Sequence, residues 1–260
     1  MAPVSAGVAI AFEQVSFGYA GDRLAVDNVT LQIAAGERVA LVGANGAGKT
    51  TLMMLALGVV SPSHGSVSIE SCTVTPATLR AVRRRIAYVF ADPDDQLFCD
   101  TVLDEVAFGP RQTGLDEVTC LARARSSLAA VGLADMESRE PLALSLGEKK
   151  SLAIATALAS QADASLLDEP TSGLDPRARR RLISLLASLP GTVLLATHDL
   201  DAALDLGARV IVMDAGRVAA DGPAASVLRD AELLERHQLE LPLSVAAAGP
   251  TTERDRTRPS

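Results

Sequence analysis

The stretch Gly43-Ala44-Asn45-Gly46-Ala47-Gly48-Lys49-Thr50-Thr51 limits what this chain can fold into more than any other. It follows the apolar run Arg38 to Val42 and precedes Leu52 to Leu57, which predicts a strand, a glycine-rich loop and a helix in direct succession. Glycines in such a loop let several backbone N–H groups crowd around a pair of phosphates, and the helix that follows aims its unpaired N–H groups at the same anion. Lys49 adds a point charge and Thr50 a hydroxyl suited to Mg²⁺. Lysine is otherwise confined to Lys149 and Lys150, with arginine at the other basic positions, so Lys49 reads as a choice of chemistry.

With 260 residues, of which 48% are hydrophobic, the chain can bury a sizeable α/β core. A net charge of −8 argues against a nucleic-acid surface, and the basic runs at Arg83 to Arg85 and Arg177 to Arg181 read as solvated helix faces. Cys72, Cys99 and Cys120 are odd in number and lack metal-ligand spacing, which fits a reducing cytosol. No apolar run approaches the ~20 residues of a membrane span, and Met1 to Val8 lacks the pattern of an export signal. Any membrane role is therefore expected to come through a separate chain.

Val8 to Phe17 and Asp27 to Ile33 alternate apolar and polar residues as antiparallel strands do, with a turn at residues 18–22. Tyr19 lies in that turn, where its ring could stack on a base or simply pack. A helix is expected over Pro76 to Arg84 with Thr75 as N-cap, then a buried strand at Ile86 to Phe90. From Thr101 to Gly132 the pattern is helical, with a break at Gly109-Pro110. Ser145 is placed to cap a further helix, and that helix start is either an ordinary cap or a second phosphate contact.

Ala164 to Leu167 reads as a buried strand ending in Asp168-Glu169. Two carboxylates at the end of an apolar strand are costly unless they meet a cation or donors, so Asp168 is expected to hold Mg²⁺ and Glu169 to polarise water. Thr192 to Ala196 is another apolar strand; it leads to His198, whose imidazole could bond a γ-phosphate oxygen or the attacking water. Val210 to Met213 is expected to close the sheet, with a turn at Gly222-Pro223.

Taken together these motifs resemble, in the right order, the ATP-binding cassette (ABC) ATPases. The resemblance implies an α/β fold of the P-loop NTPase class: a mostly parallel RecA-like core, an N-terminal antiparallel β-subdomain, and an inserted helical lobe at about 97–160. One domain would span 1–240; the segment after it, 241–260, is expected to be a disordered tail because its end is polar and Pro-containing. The resemblance further implies that Tyr19 stacks on the base and that Gly43, Asn45, Gly46, Ala47, Gly48, Lys49, Thr50 and Thr51 bind ATP. Mg²⁺ would be held by Thr50 and Asp168, with Glu169 and His198 catalytic. Ser172 and Asp175 would lie in the D-loop, and Ser145, Gly147 and Glu148 would contact ATP held by an opposing subunit. The partners implied are a second ABC ATPase subunit, identical or not, and transmembrane subunits at the cytoplasmic face of the membrane.

Asp92-Pro93-Asp94-Asp95-Gln96-Leu97-Phe98 and Ser145 to Lys150 look like the energy-coupling-factor group, whose ATPases serve importers of cobalt, nickel and vitamins. Two positions depart from the family pattern. Ala91 stands where a glutamine is expected, and Leu146 replaces the first glycine of the signature, which together predict slower hydrolysis or looser coupling. The alternatives to a transport motor are a weakly hydrolysing partner in an asymmetric ATPase pair and a soluble ABC protein without a transport role.

Overall fold

The computed structural model describes residues 8–20 and 23–248. Strands β1 (Val8–Phe17) and β2 (Val26–Ala34) pair antiparallel, with Phe12 opposite Leu31. The expected turn between them includes residues 21 and 22, which lie outside the described residues. Strand β3 (Arg38–Val42) then leads through the glycine loop into α1 (Lys49–Ala56). Strands β4 (His64–Ile69) and β5 (Cys72–Thr73) complete a four-stranded sheet of order β2-β1-β4-β5.

Next come α2 (Leu79–Arg83) and β6 (Ile86–Val89). The helix expected from Pro76 starts later because Thr78, not Thr75, organises the turn: its hydroxyl donates to the Thr73 carbonyl at 2.6 Å and accepts from the Thr75 N–H at 2.9 Å. Three longer helices follow, α3 (Val102–Gln112), α4 (Glu117–Ala130) and α5 (Leu146–Ser160). They pack on one another through Val106, Ala124, Leu128, Leu152 and Ala155 to form a lobe with its own core. The expected break at Gly109-Pro110 is absent, and Pro110 lies inside α3. Proline removes one hydrogen bond there, and burial of Val102, Val106, Ala107 and Pro110 on one face outweighs that loss.

The remaining elements are β7 (Ala164–Asp168), α6 (Pro176–Ser188), β8 (Thr192–Thr197), α7 (Leu200–Asp205), β9 (Arg209–Asp214), β10 (Arg217–Pro223), α8 (Ala224–Val227), α9 (Ala231–Arg236) and α10 (Leu243–Ala248). A six-stranded sheet runs β10-β9-β3-β8-β7-β6, parallel from β9 to β6. Strand β9 does not close this sheet. It lies beside β3, and β10 forms the edge after a two-residue turn in which Ala215 and Gly216 both take positive φ, the hairpin geometry. Gly222-Pro223, expected as a turn, ends β10. Helix α10 gives structure to the start of the 241–260 segment, and 249–260 lie outside the described residues.

Strands β7 and β8 are buried along their whole length, as continuous apolar runs in a sheet covered on both faces must be. Val39 and Leu41 of β3 face α1 and the four-stranded sheet, whereas Ala40 and Val42 face α7 to α9. Helices α5 and α6 cover Leu167, Val193 and Leu195 on that second face. In the lobe, buried Glu105 accepts N–H bonds from Phe98 and Cys99, both at 2.8 Å, and so fixes the segment leading into α3. Glu105→Ala leaves both donors without that carboxylate and is expected to lower the unfolding free energy by about 2–3 kcal/mol, measured by urea denaturation.

Candidate functional site

Parallel pairing decides where the chemistry-bearing residues emerge. Val42 pairs with Thr197, Ala196 with Asp168 and Leu167 with Val89, so the glycine loop, Glu169, His198 and Ala91 all leave the same edge of the sheet. Ligands of open α/β sheets bind at this carboxyl edge.

The loop's shape depends on glycine at two places. Gly48 takes φ +103°, and a Cβ there would run into the Ala25 carbonyl; one at Gly43 would strike the Met213 carbonyl. Helix α1 has no side-chain cap, unlike α3 to α7, each of which receives a side-chain oxygen. Its leading N–H groups are therefore left for an anion. Lys49 is buried, and its Nζ donates to the carbonyls of Gly43 at 2.7 Å and Ala44 at 3.2 Å. Burial pushes its pKa down, opposed by the nearby carboxylates of Glu169 and Asp168. Asn45 and Gly46 lie exposed at the loop's crest, with Ala47 buried beneath. Tyr19 is 57% exposed, stands edge-on to Phe17, and has its hydroxyl 3.5 Å from Thr51 Oγ1.

Thr50 Oγ1 donates to Asp168 Oδ2 at 2.7 Å, bringing together two hard oxygen ligands from β7 and the first turn of α1. Among the described residues no group of three or more His, Cys, Asp and Glu gathers around a common point. That donor set fits Mg²⁺, which keeps its waters and takes much of its coordination from substrate phosphates. Tyr88, which the sequence reading passed over, also donates to Asp168 Oδ2, at 3.2 Å. Burial nevertheless holds the Asp168 carboxyl above its usual pKa, with the Thr50 and Tyr88 bonds opposing.

Glu169 takes φ +44°, and its Oε2 lies 2.8 Å from His198 Nδ1 and 3.3 Å from both the His198 N–H and Thr197 Oγ1. The imidazole is 60% exposed and the carboxylate only 17%. Behind them, Asp199 caps α7 and is gripped by both arms of Arg179 at 2.5 and 2.7 Å. Burial alone would raise the Asp199 pKa, and the Arg179 fork and the Ala202 N–H together hold it below the ordinary value.

The residues predicted to meet a second nucleotide collect elsewhere. Ser145, Gly147 and Glu148 line one cavity of about 970 Å³ with Gly173 and Asp175, and no residue of the glycine loop borders it. Ser145 and Glu148 close a reciprocal cap at the start of α5. Asp175 caps α6, and Ser172 Oγ donates to the Glu169 carbonyl at 3.0 Å. Leu146 is 43% exposed and leans over Gly173, where a Cβ would sit 3.1 Å from it. Gln96 does not stand in for a glutamine at Ala91, because its amide is spent on the Phe90 N–H, the Ala153 carbonyl and Thr156 Oγ1.

Fold and carboxyl-edge site together define a nucleotide-binding α/β protein. The sequence profile of the ABC transporter family matches residues 26–172. The energy-coupling factor transporter ATP-binding protein EcfA of Carboxydothermus hydrogenoformans is 40% identical over 92% of this chain and 89% of its own length. An ABC transporter ATP-binding protein of Geobacter sulfurreducens, named only as such, is 47% identical over 85% of this chain and 89% of its own length, and the EcfA of Methanothermobacter thermautotrophicus is 39% identical over 90% of this chain and 76% of its own length. The solved structure of CbiO1 from Clostridium perfringens, part of the ABC transporter complex CbiONQ, superposes with a TM-score of 0.79 at 31% identity, covering 93% of this chain and 99% of that one. The chain belongs to the ABC transporter ATP-binding family and is an ATPase of the energy-coupling-factor type.

Breaking the Arg179–Asp199 fork by Arg179→Met should cost about 2 kcal/mol of stability near neutral pH. A depressed carboxyl contributes stability only above its unfolded pKa, so the difference from the parent should shrink as pH falls through the folded value. Urea denaturation across that range checks both the size and the sign.

Proposed function

We propose that the chain is the ATP-hydrolysing motor subunit of an energy-coupling-factor-type importer of transition metal ions such as cobalt or nickel, or of vitamins. The observation that carries this reading is the row along the sheet edge, in which Thr50 meets Asp168 at 2.7 Å and Glu169 meets His198 at 2.8 Å, beside an uncapped helix start.

In this reading Gly43 to Thr51 cradle the phosphates, Lys49 leaves its two carbonyl partners to neutralise them, and Tyr19 stacks on the base. Thr50 and Asp168 hold Mg²⁺, which offsets phosphate charge when bound with the nucleotide. Glu169 orients and polarises the attacking water, and His198 holds the Glu169 carboxylate while its exposed ring remains free to bond a γ-phosphate oxygen. Ser145, Gly147 and Glu148, with Ser172 and Asp175, serve a nucleotide on an opposing ATPase subunit. Their separation from the glycine loop of their own chain supports a head-to-tail pair. No helix among the described residues is long and apolar enough to cross a membrane, so transmembrane subunits are separate chains in this reading. The exposed Phe98 and Phe108, whose rings meet edge-on at 4.9 Å, give the lobe an apolar face for docking at the cytoplasmic side.

Glu169→Gln in the complex assembled with its membrane subunits should lower MgATP turnover at least about a hundredfold while nucleotide still binds. Undiminished turnover would contradict the assignment. A second reading, a weakly hydrolysing partner in an asymmetric ATPase pair, is favoured by Ala91 and Leu146. It predicts that Ala91→Gln with Leu146→Gly raises turnover of the assembled complex, and no gain from the pair would count against it.

A further inference from the structure

Lys150 is one of the few charged side chains buried in this protein, at 4% exposure, and no role above uses it. It lies one turn into α5 and is not among the residues that line the cavity bordered by Gly147 and Glu148. Its neighbour Lys149 points outward and pairs with Asp94 at 2.6 Å. Lys150 Nζ instead donates to the main-chain carbonyl of Glu169 at 2.9 Å and to Ser172 Oγ at 3.0 Å. Ser172 adds two bonds of its own to the same carbonyl, from Oγ at 3.0 Å and from its N–H at 3.2 Å.

The residue so gripped has φ +44°, a conformation that side-chain-bearing residues hold only where their surroundings impose it. The Glu169 N–H is fixed from the β8 side by the Ala196 carbonyl at 2.9 Å, and its carboxylate by His198. The carbonyl is fixed from the α5 side. Burial pushes the Lys150 pKa down, and although the Glu169 and Asp92 carboxylates oppose this, an ammonium whose direct hydrogen bonds go to a carbonyl and a hydroxyl is costly compared with an apolar side chain of the same length. What it supplies that such a side chain would not is a charged donor aimed at the turn that carries the carboxylate.

We infer that Lys150 is a positioning residue that ties the start of α5 to the backbone of Glu169, so that contact between α5 and a nucleotide on the opposing subunit sets the Glu169 carboxylate in its own subunit. The inference rests on the proposed role of Glu169. It makes α5 a two-ended strut, with Ser145 and Gly147 facing across to the partner and Lys150 facing into the catalytic turn.

The test has two readouts on Lys150→Met. In the full chain without nucleotide, amide hydrogen exchange at residues 169–172 should speed at least tenfold while exchange in α3 and α4 is unchanged. In the assembled complex, kcat should fall at least tenfold with KM for MgATP within twofold, and the same substitution in a Glu169→Gln background should change residual turnover by less than twofold. Unchanged exchange in the turn, or an equal fall in both backgrounds, would overturn the inference and leave the role of Glu169 intact. Parental turnover in Glu169→Gln alone would overturn the role of Glu169, and the inference with it. Should Lys150→Met not fold, Ser172→Ala removes the neighbouring donor without removing the buried charge. It should produce the same local exchange gain and a smaller fall in kcat, and the absence of both would again overturn the inference.

Discussion

The parallel pairing of β3, β8 and β7 is the constraint on which the rest of this structure depends. It sets Val42 against Thr197 and Ala196 against Asp168, so three loops from distant parts of the sequence leave the sheet at one level. A slip of one residue would turn the buried face of each strand over, exchanging Val39 and Leu41 with Ala40 and Val42 between two differently shaped cores. The apolar packing that fixes register is therefore also what fixes the separation of Thr50, Asp168, Glu169 and His198.

On that frame, charged groups are buried only where a partner waits. Asp168 has Thr50 and Tyr88, Lys49 has the loop carbonyls, Glu105 has two N–H groups, and Lys150 has the Glu169 carbonyl. Each lies where the backbone must hold an unusual course: the glycine loop, the left-handed turn at Glu169, and the entry to α3. Because those turns are held by polar contacts aimed at single carbonyls and N–H groups, small movements of α5 or of the lobe can reach the site without repacking the core.

Much of this was legible in the sequence because glycines and carboxylates at the ends of apolar strands are costly anywhere else. The glycine loop and Asp168-Glu169 stood out for that reason, and His198 because it follows another apolar strand. Lys150 did not, since a Lys-Lys pair near a helix start reads as solvated surface. The signal was its spacing, three and four residues before Ala153 and Ile154, which places it on the buried stripe of α5. Tyr88 and Glu105 act through partners far along the chain or across a turn, which periodicity does not report. The β9–β10 hairpin was missed because Ala215-Gly216 lacks the usual Asn-Gly signal, and the helix through Pro110 because tertiary burial outweighed a local rule.

The two departures from the expected pattern lie apart, Ala91 just after β6 at the carboxyl edge of the sheet and Leu146 over Gly173. Neither disturbs the row at the sheet edge. The central claim is that this row and the distant α5 cavity serve nucleotides in two different subunits. The most direct measurement is amide hydrogen exchange of the Glu169→Gln form in the assembled complex, with and without MgATP. The account predicts protection both at residues 43–51 and at residues 145–148 and 173–175. Protection confined to residues 43–51 at saturating nucleotide would contradict it.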